Sequence, residues 1–200
     1  MPRRRPISPD QLEMFALEPT FRLFIGLLPD AITQRALDRQ RAAWPMPRAA
    51  VPTPADRFHL TLGFLGDVAL SRALELKEAL AEVPMEETRL TLRKPAVWGV
   101  AVVQPDENAG LRALHDNLRR PLQRVGLRAG TAWTPHVTIA RHTQGAVPPP
   151  RIPPVDWPVN DFALVWSRLV PTARYEVLRR YGAAPESTGS ASGTNLVPCP

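Results

Sequence analysis

The chain has 200 residues, of which 44% are hydrophobic and 22% are charged, a composition typical of a folded globular protein with one buried core. It has no run of about 18 apolar residues, so no membrane-spanning helix is expected, and its N-terminus lacks the apolar stretch of a secretory signal. The net charge of +6 comes mainly from arginine and suits a phosphate-bearing partner such as nucleic acid, although the bias of a GC-rich genome explains it equally well.

The two ends of the chain differ in composition from its middle. We expect residues 1–20 to be a loose leader rich in proline and arginine, and residues 182–200 to be a disordered tail of small polar residues. The folded domain is therefore expected over 21–181. The single cysteine, Cys199, excludes an internal disulfide and is compatible with a cytoplasmic protein.

The first part of the domain alternates strands and helices. A buried strand is predicted at 21–28, and Asp30 is placed to cap a helix over 31–44. Four prolines exclude regular structure over 45–56, and a second strand is predicted at 57–65.

Ser71 is expected to cap the next helix, which ends near Val83. Two antiparallel strands are then predicted at 89–94 and 97–104, with the turn at Pro95 between them.

The third helix has the clearest apolar periodicity, and Pro121 is expected to kink it; its apolar face is formed by Leu111, Leu114, Leu118, Leu122 and Val125. A strand is predicted at 132–141, and a proline-rich excursion at 145–158. Two strands at 162–170 and 174–181 are expected to close the domain as a hairpin.

This order of elements predicts an α+β fold, because strands and helices do not alternate strictly enough for a doubly wound parallel sheet. Antiparallel sheets are expected, with helices on their outer faces. Two of the strands carry a histidine, lie 77 residues apart, and are each accompanied by a helix. They indicate two similar halves that face each other.

The stretches "RFHLTLGFLG" (57–66) and "TPHVTIAR" (134–141) contain the same His-x-Thr-x pattern. Alternate residues of a strand point to the same face, so His59 shares a face with Thr61, and His136 shares one with Thr138. The opposite faces are aliphatic and suit a core. If both polar faces line one cleft, two imidazoles and two hydroxyls surround a small space.

This set of groups suits phosphoryl chemistry. One imidazole can accept a proton while the other donates one, and hydroxyls can donate hydrogen bonds to phosphate oxygens. Arg57 lies on the face of His59 and can form a fork to a phosphate. Strict alternation turns Arg141 toward the core, so it reaches the cleft only if the strand bulges or ends there.

A structural role and a metal site are the two alternative interpretations of these histidines. A single strand histidine is more often structural, but a matched second copy is not explained by core packing. A zinc site needs three or four close ligands, and the sequence offers no His-x-x-x-His or Cys-x-x-Cys, so no metal is expected. His115 and His142 are interpreted as surface or structural residues. The sequence contains neither an ATP-binding P-loop nor a G-x-S-x-G motif.

The paired motifs resemble those of the 2H phosphoesterase superfamily. Within it, the chain is most similar to the bacterial and archaeal RNA 2′,3′-cyclic phosphodiesterases, historically called 2′-5′ RNA ligases. The resemblance covers about 21–181 and rests on "FRLFIGLLPD", "RFHLTLGFLGDV", "WTPHVTIAR" and "LVWSRLVPTARYEVLRRYG".

The resemblance implies one domain of two α+β lobes around a central cleft. It implies that His59 and His136 are catalytic, that Thr61 and Thr138 bind the phosphate, and that Arg141 is a further phosphate ligand. It also implies that the phosphodiesterase reaction needs neither a metal nor a nucleotide cofactor.

We therefore expect hydrolysis of an RNA 2′,3′-cyclic phosphate, on tRNA or another RNA, to a 2′-phosphate by a monomeric enzyme. His136 is assigned to activate water and His59 to protonate the leaving 3′ oxygen, with the reverse assignment open. Phe24 or Trp133 is expected to stack on a base. The alternatives are 2′-5′ RNA ligation, a non-catalytic nucleotide- or RNA-binding module, and hydrolysis of another cyclic or 2′-5′ phosphodiester.

Overall fold

The structure is a computed structural model that describes residues 18–128, 133–168 and 174–182. The predictions of a leader and a tail concern residues that lie almost entirely outside these ranges. No helix among the described residues is long and apolar enough to cross a membrane.

The described chain forms nine strands and four α-helices. In order they are β1 (Thr20–Leu27), α1 (Ala31–Ala43), β2 (Val51–Pro52), β3 (Leu60–Ala69), α2 (Leu70–Ala79), β4 (Thr88–Val97), β5 (Val100–Pro105), α3 (Ala109–Asn117), α4 (Arg119–Arg124), β6 (Val137–Arg141), β7 (Val155–Val159), β8 (Asp161–Arg168) and β9 (Arg174–Gly182). Short 3₁₀ turns lie at Ala55–Arg57 and Leu80–Glu82.

The strands form one antiparallel sheet in the order β7-β4-β5-β6-β3-β1-β8-β9, and β2 pairs with β6 beside this path. The sheet is divided at its centre, because β3 and β6 are joined only by the pair Leu60 and Val137. One half contains β3, β1, β8 and β9, and the other contains β6, β5, β4 and β7. The predicted α+β fold of two antiparallel lobes is confirmed.

One large hydrophobic core runs beneath both halves, and Leu60 and Val137 lie fully buried within it at the junction. The helices cover this face, with Leu37 of α1 and Leu76 of α2 both fully buried. Burying one such leucine contributes about 1.5–3 kcal/mol, so the helices fix the inner face of the junction firmly. The opposite face of the sheet is left for the polar side chains of the two motifs.

Two local predictions about helices are confirmed. The carboxylate of Asp30 accepts the backbone N–H of Thr33 at 2.7 Å and caps α1. The third predicted helix is broken at Leu118 into α3 and α4, three residues before Pro121, because a proline removes a helical hydrogen bond and crowds the preceding turn.

Other predicted boundaries were wrong. Ser71 does not cap α2, because Ala69 occupies the cap position and both the N–H and the hydroxyl of Ser71 bind the Glu18 carboxylate. Pro95 lies within β4, and the hairpin turns instead at Trp98 and Gly99.

The proline-rich segments are also more ordered than predicted. The segment 45–56 contains β2, which pairs with β6 through Val51 and Pro52, and 145–158 contains the start of β7. An edge strand tolerates a proline because one side of its backbone needs no partner. Conversely, the histidine strands are shorter at their starts than predicted, since β3 begins at Leu60 and β6 at Val137.

Candidate active site

The two histidine motifs meet at the junction of the two halves. Because Leu60 pairs with Val137 in an antiparallel register, the residue before one lies opposite the residue after the other. His59 therefore lies beside Thr138, and Thr61 beside His136. All four side chains lie on the face opposite the buried pair.

The two imidazoles are held in the same way. Nδ1 of His59 lies 2.9 Å from the carbonyl oxygen of Arg57, and Nδ1 of His136 lies 2.8 Å from that of Thr134. A carbonyl oxygen only accepts, so each Nδ1 donates its proton, and each Nε2 remains to exchange a proton with a ligand. Both bonds are made to the backbone carbonyl two positions earlier, so the two rings are held alike although the residues before them differ.

The surroundings of the two rings differ. The ring of His59 packs between Phe24, at 4.8 Å between centroids, and Tyr175, at 5.2 Å. Burial lowers the pKa of His59; the hydrogen bond to the Arg57 carbonyl opposes this effect, and the charges of Arg141 and His136 add to it. His59 is therefore biased toward the neutral form in the free protein.

Arg141 reaches the cleft through a β-bulge. The pairing of β5 with β6 shifts between Ala101 and Val102, which face Ala140 and Thr138 respectively, and leaves Ile139 as the extra residue. Ile139 and Ala140 both lie in the core, so the alternation is offset by one residue before Arg141. This is the condition under which the sequence predicted that Arg141 would reach the histidines, and its charge acts on His59.

The charges of Arg57 and Arg141 both act on Tyr175. Burial raises the pKa of Tyr175, and the positive charges of Arg141 and Arg57 partly oppose that rise. One arginine from each motif therefore acts on Tyr175, whose ring lies edge-to-face with that of His59. The charge of Arg141 acts on His59 as well, so this side of the cleft is positively charged.

The two aromatic residues predicted to stack on a base have other contacts. Phe24 is only 3% exposed and packs beneath His59 and Tyr175, so it has no open face for a base and the predicted stacking does not fit. The indole N–H of Trp133 donates to the carbonyl of Thr61 at 2.9 Å. One face of Trp133 stacks on His115 at 4.0 Å and 8°, so these contacts assign the ring to packing.

Two aromatic residues at the site were missed from the sequence. Tyr175 lies on β9 and reaches His59 only because the final hairpin folds back beside β1. Trp98 lies at the β4–β5 turn, edge-to-face with His136 at 5.2 Å between centroids and 81° between planes. The glycine that follows Trp98 in the sequence is the local feature that could have placed this tryptophan at a turn, where its ring is exposed.

Within the described residues, no three His, Cys, Asp or Glu side chains lie together as a metal would require. Among the described residues, the cleft thus contains two imidazoles and, from the charge effects on His59 and Tyr175, two nearby arginines.

Comparisons with known proteins place the chain in one family. The family model of the 2′-5′ RNA ligase superfamily matches residues 54–170, which include both histidine motifs. The chain is 31% identical over 184 residues to the RNA 2′,3′-cyclic phosphodiesterase of Thermus thermophilus, covering 80% of this chain and 89% of that protein. It is 32% identical over 174 residues to the Escherichia coli enzyme of the same name, covering 80% and 95%.

The fold is likewise shared with solved structures. The crystal structure of E. coli LigT complexed with 3′-AMP matches with a TM-score of 0.73 and 28% identity, over 83% of this chain and 99% of that one. LigT complexed with phosphate matches with a TM-score of 0.69. The divided antiparallel sheet is thus the fold of these phosphoesterase structures. The chain belongs to the 2′-5′ RNA ligase superfamily, as its motifs predicted.

Proposed function

We propose that this protein hydrolyses the 2′,3′-cyclic phosphate at an RNA end to a 2′-phosphate, with His59 and His136 as its acid–base pair. The observation that carries the proposal is the convergence of two imidazoles, each oriented through Nδ1 so that Nε2 is left for a ligand. The family relatives that bear the name RNA 2′,3′-cyclic phosphodiesterase support the same substrate.

His136 is assigned as the base, since it is the more open of the two rings and is the better placed to receive a water molecule from solvent. Its Nε2 takes a proton from water as the water oxygen attacks phosphorus in line. The bond from phosphorus to O3′ breaks, and O3′ takes the proton of His59. The product carries the phosphate on O2′, and its protons and charges balance with one water consumed.

His59 must hold a proton when the leaving oxygen departs. Its pKa is lowered in the free protein by burial and by two nearby positive charges. A bound phosphate anion opposes the effect of those charges, so substrate binding favours the protonated form that the reaction needs. Burial in turn makes the protonated ring a stronger acid toward O3′.

The remaining groups bind the phosphate. Thr61 and Thr138 lie beside the histidines and donate to its non-bridging oxygens, while Arg141 and Arg57 supply positive charge. Crystal structures of E. coli LigT include complexes with phosphate, 3′-AMP, ATP and NADP⁺, a range that supports a phosphate subsite with a neighbouring nucleoside in the related cleft.

The finer assignments follow from the same site. We propose that residues 21–181 form the catalytic unit, that the enzyme acts as a monomer in the cytoplasm, and that tRNA is among its substrates. The family name supports a second reaction, in which an RNA 5′-hydroxyl replaces water and joins two strands. Hydrolysis dominates because water is far more concentrated than RNA ends.

The proposal is tested with His59→Ala and His136→Ala on adenosine 2′,3′-cyclic phosphate. Each substitution removes one proton transfer and is expected to lower kcat by about 10²–10⁴-fold. His142→Asn is the matched control: His142 is exposed and has a φ of 55°, which Asn tolerates, so full activity is expected. Undiminished turnover in either alanine variant contradicts the proposal.

A substrate with sulfur in place of O3′ separates the acid from the base, because a thiolate leaves without protonation. His59→Ala should regain most of its rate on this substrate, and His136→Ala should not. The opposite pattern reverses the two roles. EDTA is expected to leave every rate unchanged, since both proton transfers are assigned to imidazoles.

A further inference from the structure

An unusually exposed tryptophan stands at the rim of the cleft, on the side of His136. Trp98 is 49% exposed at the turn between β4 and β5, whereas Ala101, Val102 and Val103, further along β5, are fully buried. A half-exposed indole beside a ligand site is a large apolar surface that water solvates poorly, and such surfaces commonly mark binding sites.

The backbone of this turn is fixed. The N–H of Trp98 donates to the carbonyl of Val100 at 2.9 Å, and Gly99 adopts a φ of +77°, a conformation that favours glycine. The carbonyl of Gly99 accepts the N–H of Thr143 at 3.2 Å, which ties the turn to the segment after β6. The indole is therefore held on a short, braced turn and needs little ordering when a ligand binds.

The two histidines have matching aromatic neighbours. Trp98 is edge-to-face with His136 at 5.2 Å, and Tyr175 is edge-to-face with His59 at the same separation. Tyr175 also packs on Phe24, and burial raises its pKa, so much of its ring is already covered. Of these two rings, Trp98 has the larger free surface.

We propose that Trp98 is the platform on which the base of the terminal nucleotide stacks. The inference rests on the proposed function and deepens it, because it locates the nucleoside on the His136 side of the cleft. Stacking needs only a π face, so all four bases are accepted, with purines preferred for their larger area. Trp98 then takes the role that the sequence had predicted for Phe24 or Trp133.

The test compares two substrates that differ only in the base: adenosine 2′,3′-cyclic phosphate and the base-less 1,4-anhydroribitol 2,3-cyclic phosphate. Trp98→Ala is expected to lower kcat/KM for the adenosine substrate by about 10- to 100-fold, and to leave the base-less substrate unchanged. Trp98→Phe should retain most of the activity. The matched control is Phe64→Ala, which removes an equally exposed aromatic residue and should affect neither substrate.

An equal loss on both substrates would show that Trp98 acts by positioning His136, and would overturn the inference, as would no loss on either. If the wild-type protein turns over neither substrate, the proposed function fails. The role of Trp98 is then tested by measuring ligand binding instead of turnover. Adenosine 2′-phosphate would then be titrated into wild type and Trp98→Ala by calorimetry, with inorganic phosphate as the probe that lacks a base. Weaker binding of the nucleotide alone supports the platform, and equal binding by both proteins overturns it.

Discussion

The substitution Gly26→Ala should displace the His59 motif, because the added methyl group would crowd the strand that carries it. Gly26 of β1 lies directly opposite Thr61 in the sheet, and a Cβ placed there would be 2.9 Å from the carbonyl oxygen of Leu60 and 3.2 Å from the Phe24 ring. Leu60 is the residue between His59 and Thr61. Its carbonyl must retreat from 2.9 Å to about 3.4 Å to restore ordinary contact, so the motif moves by roughly half an ångström.

The expected effect is larger on catalysis than on folding. Since a misplacement of about 1 Å at a reacting group costs about 10²-fold, half that shift should lower kcat by roughly tenfold. Overpacking against backbone should lower the free energy of unfolding by about 1–3 kcal/mol. Both are measured on Gly26→Ala, with kcat and KM for adenosine 2′,3′-cyclic phosphate and with urea denaturation.

Gly110→Ala is the matched control for this clash. A Cβ at Gly110 would lie 3.0 Å from Oγ1 and 3.1 Å from Cβ of Thr88, so it is also overpacked, but at the start of α3 and not beneath the histidines. We expect Gly110→Ala to change stability while kcat stays at the wild-type value. A folded Gly26→Ala protein with wild-type kcat, or equal losses of kcat in both variants, would refute the reasoning.

Three further predictions follow from contacts in the cleft. Arg141→Gln should lower kcat/KM by about 10- to 150-fold, as expected for the loss of a charge-assisted hydrogen bond to the phosphate. It should also raise the pKa of His59, because the positive charge of Arg141 disfavours protonation of that ring. NMR titration of the His59 imidazole measures this pKa, and an unchanged value would contradict the proximity of the two residues. Trp133→Phe keeps the stack on His115 but removes the indole N–H that donates to the Thr61 carbonyl. The free energy of unfolding, measured by urea denaturation, should fall by about 1–3 kcal/mol. An unchanged free energy of unfolding would show that this hydrogen bond does not stabilise the fold. Folding lowers the pKa of His59 below its ordinary 6.5, so the unfolded chain binds the proton more tightly than the folded one. The free energy of unfolding should therefore fall as the pH drops below 6.5. His59→Gln should make this fall shallower, and equal pH slopes for the two proteins would contradict the lowered pKa.

The sequence predicted the polar face of the two motifs because strand alternation is a local property. Leu60 and Val137 are both fully buried, and this alone turns the histidine and threonine of each motif to the other side. The class of fold was also predictable, since the periodicity of the strands and helices comes from which residues the core buries.

Features that depend on pairing between distant segments could not be predicted. The bulge that brings Arg141 to the cleft arises from the register of β6 against β5, and nothing within β6 specifies it. Phe24 looked available because alternation does not reveal that the β8–β9 hairpin covers it. Tyr175 reaches His59 through that hairpin, across more than a hundred residues of chain.

The central claim is tested most directly by incubating the purified protein with a short RNA that ends in a 2′,3′-cyclic phosphate, in EDTA and without ATP. The products are analysed by mass spectrometry, beside the His59→Ala and His136→Ala proteins. We expect the wild-type protein to add one water molecule and leave a 2′-phosphate, and neither variant to do so at a comparable rate. Unchanged RNA in the presence of folded wild-type protein, or a 3′-phosphate product, would contradict the proposed hydrolysis.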